Sequence, residues 1–138
     1  MARRIFLDTN SFIYLLENRD PYAQKVQKFI VQGLDDNAEF YTSTISDAEF
    51  LVKPYKENNY AAINAYWNFI SRLHFTHRTI DSTVSDRAAR LRAAYKDIKL
   101  GDALQLASSI ECGCTDFFTN DVQLKQITEA NVVYMGDL

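Results

Sequence analysis

Four acidic residues stand at the ends of predicted secondary-structure elements in distant parts of the chain. In chain order they are Asp8, Glu49, Asp102 and Asp121. Two of them follow apolar runs that suit buried strands, and two lie at the starts of predicted helices. In an open parallel sheet, ligands bind outside the carboxyl ends of the strands, where strand ends and helix starts meet. The four carboxylates are therefore expected to converge at one edge.

A cluster of carboxylates repels itself, so it must take up protons or hold a cation. Oxygen ligands without His or Cys favour a hard ion such as Mg²⁺ or Mn²⁺. One or two such ions can bridge a phosphodiester, lower the pKa of a bound water and stabilise the leaving oxygen. The metal also cancels acidic charge that would repel the substrate. The pattern predicts metal-assisted hydrolysis of phosphodiesters.

Each acid also has a structural interpretation, which the sequence leaves open. Asp102 and Asp121 stand where carboxylates cap helices, and Glu49 suits an exposed helix position. Asp8 is harder to explain in this way. It ends a strand in an apolar context, where a carboxylate is costly unless something pairs with it.

Short apolar runs alternate with helical spacing along the chain. The runs predict strands at residues 4–7, 40–44, 75–80, 115–119 and 131–135. In the first half of the chain, helices are expected from Ser11, after Asp20-Pro21 as cap and first residue, and after the cap Ser46 until Pro54 interrupts the helix. In the second half they are expected over 58–73, after the cap Asp81, from Asp102 to a stop at Gly113, and from Asn120-Asp121 through Leu124. The alternation predicts an α/β domain with a parallel sheet covered on both faces.

Composition excludes several classes of protein. With 138 residues, 47% hydrophobic, four Gly and two Pro, the chain suits one globular domain spanning 1–138 rather than a disordered or low-complexity segment. It contains no apolar stretch of about 20 residues and no signal-peptide core before Asp8. A cytoplasmic protein without membrane contact is therefore expected. Cys112 and Cys114 are too few and too close for a zinc set or an ordinary disulfide, which predicts free thiols.

The formal charge of −3 argues mildly against non-specific binding of nucleic acid. That argument weakens if four of the 18 acids neutralise bound metal. The remaining acids are then matched by the 15 basic residues.

Four segments, residues 5–10, 43–51, 100–107 and 117–121, resemble the successive acidic motifs of PIN-domain nucleases. The resemblance covers nearly the whole chain, and the short length is similar to that of VapC-type ribonuclease toxins of toxin-antitoxin pairs. It implies a three-layer α/β/α sandwich with a parallel five-stranded sheet. It also implies a Mg²⁺- or Mn²⁺-dependent endoribonuclease that acts on RNA, forms a homodimer and receives an antitoxin protein.

The resemblance assigns Asp8, Glu49, Asp102 and Asp121 as metal ligands. It places Thr119 where a hydroxyl orients a metal-bound water or the last acid. Asn10 and Ser43 also fall on family positions, although turn and cap hydrogen bonds explain these three polar residues equally well.

Other polar and aromatic residues receive no catalytic role from the sequence. Asp47 precedes Glu49 by two residues and points roughly 200° away on a helix. Asp116 is assigned to a turn and Asp97 to a helix end. Five basic residues on and just after one predicted helix suit either a solvated face or contact with RNA: Arg87, Arg90, Arg92, Lys96 and Lys99. Three aromatic residues suit either the core or an interface: Tyr60, Tyr66 and Trp67.

Two rival functions remain at this stage. A haloacid-dehalogenase-like phosphatase would need an Asp-x-Asp pattern, but Asp8 is followed by Thr9 and Asn10. A PIN-like domain that binds RNA or protein without cleavage is the other. Retention of four acids argues against it, because a binder gains nothing from a repulsive cluster.

Overall fold

A computed structural model describes residues 2–138, and Met1, where the predicted domain begins, lies outside these residues. Five parallel strands form one sheet in the order β3-β2-β1-β4-β5. The strands are β1 (Arg4–Leu7), β2 (Glu39–Ser43), β3 (Thr76–Arg78), β4 (Asp116–Thr119) and β5 (Val132–Tyr134). The helices are α1 (Thr9–Leu16), α2 (Tyr22–Asp35), α3 (Thr44–Phe50), α4 (Val52–Lys56), α5 (Tyr60–Arg72), α6 (Ser82–Ala94) and α7 (Leu100–Glu111), with 3₁₀ turns at Val122–Gln126 and Met135–Asp137.

Strand β1 shows why helices cover both faces of the sheet. Ile5 and Leu7 are buried with residues of α1, α2 and α5, whereas Phe6 points to the opposite face and packs with α6 and α7. Successive strand side chains alternate between faces, so an almost wholly apolar strand requires cover on both. The expected three-layer α/β/α sandwich with a parallel sheet is confirmed. No helix within residues 2–138 is long and apolar enough to span a membrane.

The strand order creates a crevice beside β1. The chain runs outward from β1 to β2 and β3, then returns to place β4 on the other side of β1. Leu7 pairs with Phe118, so β1 and β4 end next to each other. Such a reversal of strand order opens a crevice at the carboxyl ends of the strands. Asp8 follows one of these strands and Asp121 the other.

Several predicted helix starts are displaced. Ser43, not Ser46, caps α3, because β2 runs into the helix without a loop and the Ser43 hydroxyl accepts from the Ile45 amide. Pro21 occupies the cap of α2 rather than its first helical position. Helix α7 begins two residues before Asp102. The cap at Asp81 and the stop at Gly113, with φ of +65°, are confirmed.

The predicted interruption of the helix by Pro54 agrees with the structure. The break falls at Leu51, between α3 and α4, and Pro54 lies in the first turn of α4. In a continuous helix its missing N–H would leave the Phe50 carbonyl without a partner, and its ring would crowd that carbonyl.

The assignment of Asp116 to a turn is wrong. It is the buried first residue of β4, accepting from Arg3 Nε at 2.7 Å and from Asn131 Nδ2 at 2.9 Å. A paired guanidinium makes a strand position tolerable for this carboxylate. Of the aromatic residues left open between core and interface, Tyr66 belongs to the core, whereas Tyr60 and Trp67 stay 64% and 41% exposed.

We predict that Phe29→Ala lowers the free energy of unfolding by about 3–5 kcal/mol, as expected for a buried aromatic residue. Phe29 stacks on Phe118 of β4 with ring centroids 4.1 Å apart, and so joins α2 to the sheet. Urea unfolding followed by circular dichroism measures the change. The exposed Tyr60→Ala serves as control and should change stability by no more than about 0.5 kcal/mol. Equal losses in both variants would contradict this account of the core.

Candidate active site

Asp8 is held at the end of β1 by three donors. Its Oδ1 accepts from the Ser11 amide at 3.2 Å and the Ser11 hydroxyl at 3.1 Å, which makes Asp8 the cap of α1. Its Oδ2 accepts from Thr119 Oγ1 at 2.7 Å. Asp8 is only 7% exposed, and burial raises its pKa to about 6, against the lowering effect of its donors and with a further increase from Asp102. The side chain is thus both fixed in direction and costly to ionise.

Thr119 links the first and last acids. While its hydroxyl donates to Asp8, its Oγ1 accepts from the Asp121 amide at 3.1 Å. Asp121 in turn caps the following 3₁₀ turn by accepting from the Gln123 amide at 2.9 Å. The cap interpretation of Asp121 is therefore correct, and the same carboxylate also lies close to Asp102. Thr119 orients the first acid rather than the carboxylate of the last.

Asp102 lies in the first turn of α7, but Lys99 is the cap, so the cap interpretation of Asp102 is wrong. Burial raises its pKa to about 6, and the nearby Asp121 and Glu49 raise it further. Asp102 thus lies near each of the other three acids, because its charge also acts on Asp8.

Glu49 reaches the same place from α3. Its side chain is solvent-exposed, yet Oε1 accepts from Thr9 Oγ1 at 2.6 Å. Its Oε2 lies against Gly101 of α7, where an added Cβ would come within 3.2 Å. The absence of a side chain at Gly101 lets the start of α7 approach the carboxylate closely. The exposed-acid interpretation of Glu49 describes its accessibility but misses these contacts.

An open cavity of about 140 Å³ brings three of the acids together. Asp8, Glu49 and Asp102 line it, and Asn10 forms part of its exposed wall. As they stand, no three His, Cys, Asp or Glu side chains within residues 2–138 are close enough to ligate one ion. The donor chemistry nevertheless fits a hard divalent cation. Within residues 2–138 these carboxylates form no salt bridge, and the pKa values of Asp8 and Asp102 are raised even though the charge of Lys99 acts to lower that of Asp102.

Sequence reasoning missed a buried polar cluster beneath the cavity. Gln105, Ser46 and Thr42 are at most 2% exposed and hydrogen-bond with one another or with Thr9. The available signal was the amide of Gln105 within the apolar pattern Ala103, Leu106 and Ala107. A polar residue at a core position needs partners, but one sequence does not reveal which.

Most residues set aside by the sequence do not line this cavity, but Lys99, the cap of α7, is close enough to Asp102 for its charge to act against the rise in the pKa of that carboxyl. Asp47 accepts from the Tyr66 hydroxyl at 2.6 Å and contacts His77 Nε2 at 3.0 Å. Arg87 pairs with Glu111, so part of the basic face is engaged within the protein. Asp97 lies in a turn between α6 and α7 with φ of +60°. Cys112 and Cys114 are free, as expected.

The PIN domain model matches residues 5–130, and the chain belongs to the PIN-domain family. No curated protein in the sequence comparison matches the chain. Structures of similar fold include VapBC-1 from nontypeable Haemophilus influenzae, with TM-score 0.74, 20% identity, and 96% of this chain and 98% of that chain covered. Another is DNA-bound VapBC from Salmonella typhimurium, with TM-score 0.73, 17% identity and coverage of 98% and 99%.

A third similar structure is the Mycobacterium tuberculosis toxin VapC20, described as cleaving the sarcin-ricin loop. Its TM-score is 0.70 at 14% identity, with 92% of this chain and 98% of that chain covered. The family match over residues 5–130 and these structures together identify the fold as that of the PIN family.

We predict that Asp102→Asn stabilises the metal-free protein at pH 8 by about 1 kcal/mol, a value kept small because the side chain is partly exposed. In the folded protein the pKa of Asp102 is raised from 3.8 to about 6. Between these values the folded state binds more protons than the unfolded state, so its stability falls as pH rises. The gain from Asn should therefore shrink below pH 6 and vanish near pH 4.

Urea unfolding in chelator across this pH range measures the effect. The exposed Asp35→Asn is the control and should show no such pH-dependent gain. An Asp102→Asn protein that is no more stable than wild type at pH 8 would mean that burial and the neighbouring carboxylates do not disfavour the Asp102 charge.

Proposed function

We propose that this chain is a Mg²⁺- or Mn²⁺-dependent endoribonuclease that hydrolyses RNA phosphodiester bonds. The observation that carries the proposal is the meeting of Asp8, Glu49 and Asp102 around one open cavity at the carboxyl ends of β1 and β4. Within residues 2–138 the salt bridges engage other acids, such as Asp116 and Glu111, and Lys99 offsets only part of the rise in the pKa of Asp102, so the cavity favours a cation. Membership of the PIN family supports nuclease chemistry over other uses of a divalent ion.

In this proposal Asp8, Glu49, Asp102 and Asp121 hold the ion or ions. A divalent cation bound there would lower the pKa of a water and stabilise the charge that develops on the phosphate. Thr119 and Ser11 fix the direction of the Asp8 carboxylate, and Thr9 fixes that of Glu49.

We further propose that the protein is the toxin of a type II toxin-antitoxin pair, acts in the cytoplasm as a homodimer and binds an antitoxin. Solved structures of the same fold include a toxin-antitoxin complex from Klebsiella pneumoniae and VapBC assemblies. Exposed apolar side chains on α4 and α5 offer surface for such contacts: Val52, Tyr55, Tyr60 and Trp67.

The second candidate is a PIN-like domain that binds RNA or protein without cutting. The half-buried cluster of acids disfavours it, because each unneutralised carboxylate costs stability and repels RNA phosphates.

The nuclease hypothesis is tested by incubating purified protein with total RNA in Mg²⁺, in Mn²⁺ and in chelator. We expect cleavage only with metal, and Asp8→Asn should reduce its rate by about 100-fold or more, because even residues outside a ligand shell cost 10–100-fold. Asp35→Asn is the matched exposed control. Cleavage that persists in chelator would exclude the metal mechanism, and intact tRNA, rRNA and mRNA in every condition would favour the binding domain.

The toxin hypothesis is tested by growth. Induced expression of the wild-type chain should arrest cells, whereas Asp8→Asn at equal protein level should not, because it removes a proposed metal ligand. Co-expression of the product of the neighbouring gene should restore growth and co-purify with the chain. Growth unaffected by the active nuclease would indicate a housekeeping role instead.

A further inference from the structure

The side-chain amide of Gln105 lies at the centre of the buried polar cluster. Its Nε2 donates to Ser46 Oγ at 2.8 Å and to Thr9 Oγ1 at 3.1 Å, and its Oε1 accepts from Ser43 Oγ at 2.5 Å. Gln105 is 2% exposed. Both of its N–H donors and its carbonyl are therefore satisfied by protein groups, in a place where an unpaired amide would be costly.

The hydroxyl protons of the cluster can be assigned one by one. Thr42 donates to the Leu7 carbonyl at 3.0 Å. Ser46, 2.8 Å from Thr42 Oγ1, must then be the donor in that pair, since each hydroxyl has one proton. Gln105 supplies the bonds that Ser46 and Thr9 accept.

This assignment leaves the Thr9 proton a single strong acceptor. Its oxygen receives the Gln105 amide, and the Ser46 hydroxyl is 3.4 Å away. Glu49 Oε1, at 2.6 Å, is much closer. A hydrogen bond to an ionised carboxylate is shorter and stronger than one between neutral groups. The amide thus directs the Thr9 hydroxyl towards Glu49.

Helix α7 links this cluster to the cavity. Asp102 and Gln105 are three residues apart and share a face of the helix. The helix that carries Asp102 to the cavity therefore places Gln105 under Thr9, and Gly101 lets the same turn lie against Glu49.

From these contacts we infer that Gln105 is a positioning residue for the metal site, setting the direction of Glu49 through the Thr9 hydroxyl. The inference rests on the proposed function. Groups that orient ligands from outside the ligand shell typically contribute 10–100-fold to metal affinity or activity. Gln105 lines the cavity, but its side-chain hydrogen bonds within residues 2–138 go to Ser43, Ser46 and Thr9, so we expect its effect on Glu49 to pass through Thr9.

Mn²⁺ binding to the metal-free protein tests this inference by titration calorimetry and by the electron paramagnetic resonance signal of free Mn²⁺. Gln105→Met keeps the side chain's length but removes its donors and acceptor, and should weaken Mn²⁺ binding about 10-fold. Ser108→Ala is the matched control, because Ser108 is a buried α7 residue whose hydroxyl donates to the Leu104 carbonyl of its own helix. It should bind Mn²⁺ like wild type. In RNA cleavage assays, Gln105→Met should lower kcat by a larger factor than it raises KM.

A mutant cycle with Thr9 separates positioning from general support of the fold. Thr9→Val should weaken Mn²⁺ binding about 10-fold, whereas Thr9→Ser, which keeps the hydroxyl, should bind within about twofold of wild type. In the Thr9→Val background, adding Gln105→Met should then weaken Mn²⁺ binding by less than about a further twofold. Circular dichroism checks that each variant is folded. If Gln105→Met does not fold, comparison of Thr9→Val with Thr9→Ser still tests whether the Thr9 hydroxyl supports Mn²⁺ binding.

Each failure has a distinct meaning. Gln105→Met binding Mn²⁺ as wild type does, or losing the same factor with and without the Thr9 hydroxyl, overturns the positioning role and leaves the proposed nuclease intact. A wild-type protein that binds no Mn²⁺ at millimolar concentration overturns the proposed metal site, and this inference with it.

Discussion

Burial of the Asp8 charge is the constraint on which this structure depends. The carboxylate follows an apolar strand at the centre of the sheet, where it is 7% exposed and its pKa is raised to about 6. A charge in such a place is tolerable only with several donors or a counter-ion. Helix α1 starts there, β4 ends there, and both supply donors. The strand order that makes β1 and β4 neighbours therefore also brings Thr119 to Asp8 and allows this carboxylate to be buried.

The remaining acids add to this cost. Asp102 has its own pKa raised by burial and by its acidic neighbours, and Glu49 is held nearby by Thr9. The fold thus keeps together groups that would separate if the chain relaxed locally. Rigid elements are needed for this. Asp8, Asp102 and Asp121 stand at the start of a helix or 3₁₀ turn, whereas Glu49 lies in the last turn of α3 and not in the first turn that the sequence predicts. The aromatic stack of Phe29 on Phe118 is part of the packing that fixes such elements.

The sequence predicts the sheet well because its apolar strands have no alternative to two-sided burial. Strand β1 and the cap at Asp81 are found where expected. Helix starts between 42 and 46 are harder, since four of these five residues carry a hydroxyl that can cap a helix. The direction of Thr9 and the partners of Gln105 depend on three elements distant in sequence, and no local pattern encodes them.

The donors around the acids are neutral, and this has a physical consequence. Within residues 2–138 the ion pairs engage acids elsewhere, such as Arg3 with Asp116 and Arg87 with Glu111. Asp8 and Glu49 receive hydroxyl and amide donors instead. An arginine would orient a carboxylate equally well but would also cancel its charge. Neutral donors fix direction while leaving the negative potential available, so the same contacts that order the carboxylates preserve their attraction for a cation.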